Sequence, residues 1–210
     1  MPRYTAPIRD TEFLLNNVFE ISQYADLEGF SEASPDIIKA ILEESGKFSS
    51  EVLQPLNLSG DHEGCTLESG EVTTPKGFKE AYKSFSENGW VGLCCHTEYG
   101  GQGLPQALGP SASEYITSAD MSFGMYPGLS QGAYKAIAKY GSDEQKQTYL
   151  PKLASGEWTG TMNLTEPHCG TDLGLLRTKA EAAGDGSYKI TGTKIFISAG
   201  EHDLTENIIH

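Results

Sequence analysis

At Gly156 the hydrophobic pattern of the chain switches from helical spacing to short runs broken by Gly, Asp and Pro. Side chains repeat about every 3.6 residues along a helix and every 2 along a strand, so neither pattern can serve for the other. The chain must therefore build helices first and strands afterwards. No internal repeat or low-complexity tract offers another organisation.

Ahead of Gly156, Ser34 and Pro35 form an N-cap and first-turn pair before Ile37, Ile38, Ile41, Leu42, Phe48 and Val52, which recur at helical spacing. Thr74 and Pro75 repeat the signal before Phe78, Ala81, Tyr82 and Phe85, with Asn88 and Gly89 as the stop. Ser142 to Gln145 reads as a capping box that opens a helix carrying Tyr149, Leu150 and Leu153 and closing near Gly156. Between Ala107 and Tyr140 the spacing suits one or two more helices, more apolar and more buried. Ser59 to Pro75, rich in Gly, Glu, Ser and Thr, reads as a polar connector. Beyond Gly156, Trp158 to Leu164, Leu176 to Ala182, Tyr188 to Thr191 and Lys194 to Ser198 read as strands, with turns at 184–186 and 191–193. Asn207 to His210 reads as a strand just beginning, so the chain is expected to stop inside a β domain.

With 38% hydrophobic residues the chain can bury a core. Its 15 Lys and Arg against 29 Asp and Glu give a formal charge of −14, which repels phosphate backbones and argues against nucleic acid as a partner. The apolar run from Trp90 to Cys95 is far short of the roughly 18 residues that a membrane span needs, and charged residues crowd the first twenty positions where a signal peptide would lie. Cys65, Cys94, Cys95 and Cys169 fit neither a disulfide framework nor a zinc site, which points to a reducing, cytoplasmic compartment.

Gly128, Ser130 and Gly132 match the GxSxG pattern of a serine hydrolase elbow, but no strand precedes them as that elbow requires, so packing at a helix start is the expected role. Gly101-Gln-Gly103 reads as a turn, since strand and helix do not flank it. The five histidines have no metal-ligand spacing and read as surface or loop residues; no metal is expected. Cys94 and Cys95 read as inert buried thiols. The stretch Met162 to Asp172 (MNLTEPHCGTD) is richer: an apolar run enters Thr165, a Glu-Pro turn follows, and Gly170, Thr171 and Asp172 offer close backbone approach with N–H and hydroxyl donors. Read plainly it is a polar turn between strands. Further on, the run Lys194 to Gly200 (KIFISAG), read as a strand, sets Phe196 and Ser198 on one face, a ring and a hydroxyl suited to a flat heterocycle.

These two blocks, together with GWVGL at 89–93, EYGGQGL at 98–104, YGSDEQK at 140–146, YLPKL at 149–153 and GEW at 156–158, resemble the acyl-CoA dehydrogenase family in order and spacing. The opening Tyr4 to Asp10 and Phe13 to Phe19 resemble the N-terminal extension of a bacterial branch that includes methylthiopropionyl-CoA dehydrogenase-like enzymes. The resemblance implies an α+β fold: an N-terminal extension over 1–33, an all-helical domain over 34–156, and the first strands of an incomplete β-barrel over 157–210. It implies FAD as cofactor, held by Met162, Asn163, Leu164, Thr165, Gly170 and Thr171, with Thr165 toward the pyrimidine edge, Phe196 near the ring and Ser198 near N5. Phe196 and Ser198 stand where many relatives carry Trp and Thr. Thr171, Gly124, Met125 and Gly128 would face the acyl-CoA substrate. Whether the two glycines make room for an acyl chain or only let helices pack closely stays open at this stage. The family's base, a glutamate, is expected in a C-terminal helical domain beyond His210, so no catalytic residue is assigned in this chain and the chain alone is expected to be inactive. Electron-transfer flavoprotein as acceptor and a homo-oligomeric assembly are further implications.

Overall fold

The computed structural model describes residues 3–210; Met1 and Pro2 of the expected extension lie outside the described residues. A short helix α1 (Ile8–Phe13) runs into a wider turn at Leu14–Val18. Helix α2 (Pro35–Phe48) begins where Ser34 Oγ accepts the Ile37 N–H at 3.4 Å, and it buries Ile38 and Leu42, one turn apart. Through a second wide turn, Ser49–Leu53, it continues into α3 (Gln54–Glu63).

The expected connector at 59–75 holds the end of α3 and a hairpin, β1 (Thr66–Glu68) against β2 (Glu71–Thr73). Its strands are three residues long and almost wholly exposed, which leaves no apolar alternation to read. Helix α4 (Phe78–Glu87) starts later than the Thr74-Pro75 pair suggests, at Gly77 in the left-handed region (φ 90). Thr74 caps nothing there, because its N–H and hydroxyl both donate to Asp203 Oδ1, at 3.0 and 2.7 Å.

Helix α5 (Leu108–Ala119) and helix α6 (Met121–Tyr140) meet at Asp120, whose Oδ1 accepts the Phe123 N–H at 3.1 Å and caps α6. Helix α7 (Asp143–Ser155) carries both halves of its capping box: Ser142 Oγ accepts the Gln145 N–H at 3.2 Å, and Gln145 Oε1 accepts the Ser142 N–H at 2.9 Å. It ends at Gly156, φ 76.

The helices close on Phe123, fully buried, with the rings of Phe48, Phe78, Tyr82 and Phe85 at centroid distances of 5.8–6.5 Å. A second cluster joins Ile38, Leu42, Leu108 and Tyr115 to Leu15 and Ile21, so residues ahead of Ser34 are part of the core. Tyr115 OH donates to Thr11 Oγ1 at 2.6 Å and ties α1 to α5.

After α7, β3 (Trp158–Gly160) pairs in parallel with β6 (Asn207–Ile209), and β4 (Lys179–Ala182) pairs antiparallel with β5 (Tyr188–Thr191). The turn at 184–186 closes with an Ala183 N–H to Ser187 carbonyl bond of 2.9 Å. The strand expected over Trp158 to Leu164 stops at Gly160, and two further expectations fail outright. No hairpin forms at 191–193, and Lys194–Ser198 is not a strand, because Phe196 (φ 55) and Ala199 (φ 53) lie in the left-handed region and break the extended backbone. The fold is α+β, helices followed by a few strands in small two-stranded sheets. Strand β3 is seated on α6: the Gly160 N–H donates to Ser130 Oγ at 3.1 Å, and a Cβ on Gly160 would stand 2.4 Å from that of Ala133. Among the described residues no helix is long and apolar enough to cross a membrane.

Candidate functional site

The two sequence blocks after Gly156 lie side by side. Thr161 donates its N–H to the Ile209 carbonyl at 2.9 Å and its Oγ1 to the Ser198 carbonyl at 2.7 Å. Four residues later the Ile195 N–H donates to the Thr165 carbonyl at 3.0 Å, and Lys194 Nζ donates to the Leu164 carbonyl at 2.9 Å. Segments 161–165 and 194–198 thus run antiparallel without forming a regular ladder.

What they present to solvent is unusual for a loop. Met162 is 62% and Phe196 88% exposed, and Asn163, Gly170, Thr171 and Ser198 are exposed while Leu164 and Thr165 are half-buried. Among the described residues, the N–H groups of Met162, Asn163, Leu164 and Thr165 and the hydroxyls of Thr165, Thr171 and Ser198 meet no protein partner. A left-handed backbone at a bulky residue costs on the order of 1–3 kcal/mol, and such strain collects at functional sites. Phe196 and Ser198 come to this surface through that kink and not through the two-residue spacing of a strand.

Glu166, within the first block, is 3% exposed and staples it to the second. Its Oε1 accepts from Lys194 Nζ at 2.8 Å and from the Thr178 N–H at 3.0 Å; its Oε2 accepts the Arg177 N–H at 2.8 Å. The Lys194 ammonium, helped by these backbone donors, holds the carboxyl far below the usual carboxylate range. A carboxylate so stabilised as an anion is a poor proton acceptor. Glu166, His168 and Cys169 place ligand atoms within 4.8 Å of one another, yet Lys194 already neutralises the carboxylate, so the donor set does not suit a cation. Sequence reading missed this staple because Glu166 and Lys194 are 28 positions apart; the available signal was a lone acid at the end of an apolar run.

A cavity of about 450 Å³ lies between α5, α6 and the loop after α4, lined in part by Trp90, Leu93, Ile116, Gly124, Gly128 and Gln131. A Cβ on Gly128 would meet nothing within 4 Å, whereas one on Gly124 would stand 3.2 Å from Thr117 Oγ1. Gly128 leaves room and Gly124 permits the close approach of α5, so the alternatives left open by the sequence divide between the two residues. Met125, 40% exposed, does not line this cavity with them.

Ser130 sits in the middle of α6 and not at a helix start. Its Oγ donates to the Tyr126 carbonyl at 3.1 Å and accepts from Gly160, and at 1% exposure it has neither the elbow nor the access of a nucleophile. Gly101–Gly103 is irregular backbone folded against Cys95, whose carbonyl accepts the Gly103 N–H at 2.9 Å and whose thiol is pushed up to about 11 by burial. The four cysteines are free. His202 is a loop residue that is buried and not at the surface: it is 3% exposed, its Nδ1 accepts the Leu204 N–H at 3.2 Å, its Nε2 faces Thr159 Oγ1 at 3.1 Å, and burial lowers its pKa.

Residues 38–157 match the model of the acyl-CoA dehydrogenase N-terminal domain. The chain is 49% identical over 207 residues to 3-methylmercaptopropionyl-CoA dehydrogenase of Ruegeria pomeroyi, covering 99% of this chain and 35% of that protein. Among solved structures, butyryl-CoA dehydrogenase of Megasphaera elsdenii matches with a TM-score of 0.65 at 27% identity, covering 77% of this chain and 40% of that one. A structure described as the electron transferring flavoprotein of Acidaminococcus fermentans matches with a TM-score of 0.65 at 28% identity, over 76% of this chain and 39% of that one. The chain spans about a third of the length of the curated relatives it matches.

Proposed function

This chain belongs to the acyl-CoA dehydrogenase family, and we propose that it forms the flavin-facing and acyl-facing walls of an FAD-dependent enzyme that introduces an α,β double bond into an acyl-CoA thioester. The observation that carries this reading is the seating of 161–165 against 194–198, which offers an exposed, conformationally strained aromatic ring beside a run of unpartnered hydrogen-bond donors. That donor set suits a flat heterocycle edged with acceptors. Met162, Asn163, Leu164, Thr165, Gly170 and Thr171 would hold FAD on one side, and Phe196 and Ser198 on the other. When bound, FAD supplies the acceptor for the hydride that leaves the β carbon.

The chain's own contribution is binding and polarisation. Hydroxyls of Thr165 and Ser198 would donate toward atoms that gain negative charge, a stabilisation that needs no reorganisation during reaction. Residues 162–172 contain no Lys or Arg, so backbone N–H groups there would bear the cofactor's phosphates. Thr171 would face the CoA end of the substrate and Gly128 the acyl end, with Gly124 beside it in the cavity wall; the open wall at Gly128 supports an acyl chain lying in the 450 Å³ cavity, and Met125, outside that lining, is not kept in the acyl assignment. No catalytic base is assigned within the described residues: Glu166 is committed to Lys194, and Asp172 Oδ1 to the Gly174 N–H at 3.0 Å. As the family resemblance implies, proton removal would fall to a glutamate of a C-terminal helical domain, and residues 1–210 alone would not turn over substrate. The helical unit is taken as 34–156 and the flavin-binding unit as 157–210. Electrons would leave to an electron-transfer flavoprotein, a partner suggested by the flavoprotein match; a homo-oligomer and a cytoplasmic setting, in keeping with the free thiols, complete the proposal.

The test is FAD retention after desalting, read from the visible spectrum of the protein that carries this chain, with Phe196→Ala, Thr165→Val and Ser198→Ala. Each hydroxyl variant should lose about 0.5 to 3 kcal/mol of flavin binding, and Phe196→Ala should shift the flavin absorption bands. Unchanged retention and spectrum in all three variants would refute the assignment.

A further inference from the structure

We propose that Lys135 reads the far end of the acyl chain and that the cavity prefers acyl groups ending in an anion; this rests on the acyl reading of the cavity above. A second cavity of about 250 Å³ adjoins the first, and the two share Cys94, Gln106, Gln131 and Lys135 as common wall, with His96 and Lys139 beyond. Neither is lined by an Asp or Glu, although carboxylates outnumber Lys and Arg 29 to 15 in this chain. Each of the other cavities described is lined by at least one carboxylate.

The placement follows from α6. Gly124, Gly128, Gln131 and Lys135 succeed one another at steps of four, three and four and so form one stripe on the helix. At 1.5 Å per residue the stripe is about 16 Å long. It passes from small residues, through an amide, to a cation. The Gln131 side-chain N–H donates to the Val91 carbonyl, which fixes that side chain in the wall. Lys135, like six other lysines of the chain, has no carboxylate partner among the described residues; what sets it apart is its place in the wall that the two cavities share. An alkyl chain lying along the glycines would end near an unneutralised ammonium, so a terminal carboxylate gains a partner there and a methyl terminus does not.

The experiment compares binding of octanoyl-CoA and of suberoyl-CoA, the same length with a terminal carboxylate, to the purified protein that carries this chain by calorimetry, at low and high salt. It is repeated on Lys135→Met and Lys135→Arg, with circular dichroism to verify folding. Because both ligands carry the same CoA, their difference isolates the terminal group. Suberoyl-CoA should bind about two- to fivefold more tightly at low salt, the gap should close in K135M and at high salt, and K135R should keep it. A gap that survives in K135M, or equal affinities in the parent chain, overturns the role of Lys135 while leaving the acyl reading intact. No binding of either ligand overturns the acyl reading of the cavity and this inference with it.

Discussion

Replacing Ser130 by alanine isolates one contact between the helical and the β portions of the chain. Ser130 Oγ makes two hydrogen bonds, donating to the Tyr126 carbonyl and accepting the Gly160 N–H, each at 3.1 Å. The first is an ordinary back-bond to the preceding helical turn, and its carbonyl loses little when the hydroxyl goes. The second is different, because a Cβ on Gly160 would press on Ala133, so the two backbones are too close for water to replace the lost oxygen. An orphaned buried N–H costs about 1–3 kcal/mol, while deleting a single oxygen leaves only a small void. For a chain of this size each kcal/mol lowers the melting temperature by about 2–4 °C. Ser111 provides the internal control: its Oγ donates to the Ala107 carbonyl at 3.3 Å in the same back-bonded geometry but has no second partner. In urea melts followed by circular dichroism, Ser130→Ala should lower the midpoint without changing the slope, and Ser111→Ala should be near neutral. Equal effects of the two substitutions would refute the reasoning. Labelling of Ser130 by a fluorophosphonate would also contradict its burial.

Gly160→Ala should destabilise by about 1–3 kcal/mol through overpacking against Ala133, measured by the same melts; a neutral result would mean that β3 is not seated on α6 as described. Burial depresses His202 below its ordinary value near 6.5, so as pH falls the unfolded chain takes up a proton before the folded one does. Stability is therefore full above pH 6.5 and declines below it toward the folded pKa, with a second loss below about 4.5 as Glu166 and then Asp203, both depressed in the fold, protonate first in the unfolded chain. Urea midpoints should trace both steps and His202→Gln should flatten the upper one; a midpoint constant between pH 7 and pH 5 would contradict this. A shortened chain ending at Gly156 should give a circular dichroism spectrum dominated by helix, and a mainly β spectrum would sink the division of the chain at that residue.

What could be read from the sequence was what short-range contacts decide. Ser34 and Ser142 cap the helices they precede because the groups they satisfy lie three residues away, and Gly156 ends α7 because the left-handed region is open to it. Thr74 carries the same kind of signal as Ser34 and misleads, since its hydroxyl is taken by Asp203, 129 positions on. Lys194–Ser198 alternates like a strand and is not one, because its conformation is set by Thr161, Thr165 and Glu166 across the paired segment. Gly124 and Gly128 are indistinguishable in sequence and part company only through Thr117, which crowds one and not the other. The candidate site is assembled almost wholly from contacts of this long-range kind. Its blocks could be recognised by their order along the chain, as a family pattern, but their geometry could not, because no period or cap encodes a bond between residues 28 or 37 positions apart. The kink at Phe196 is of the same kind: it lies between two long-range bonds, Ile195 N–H to the Thr165 carbonyl and Thr161 Oγ1 to the Ser198 carbonyl, so nothing in the neighbouring sequence announces it.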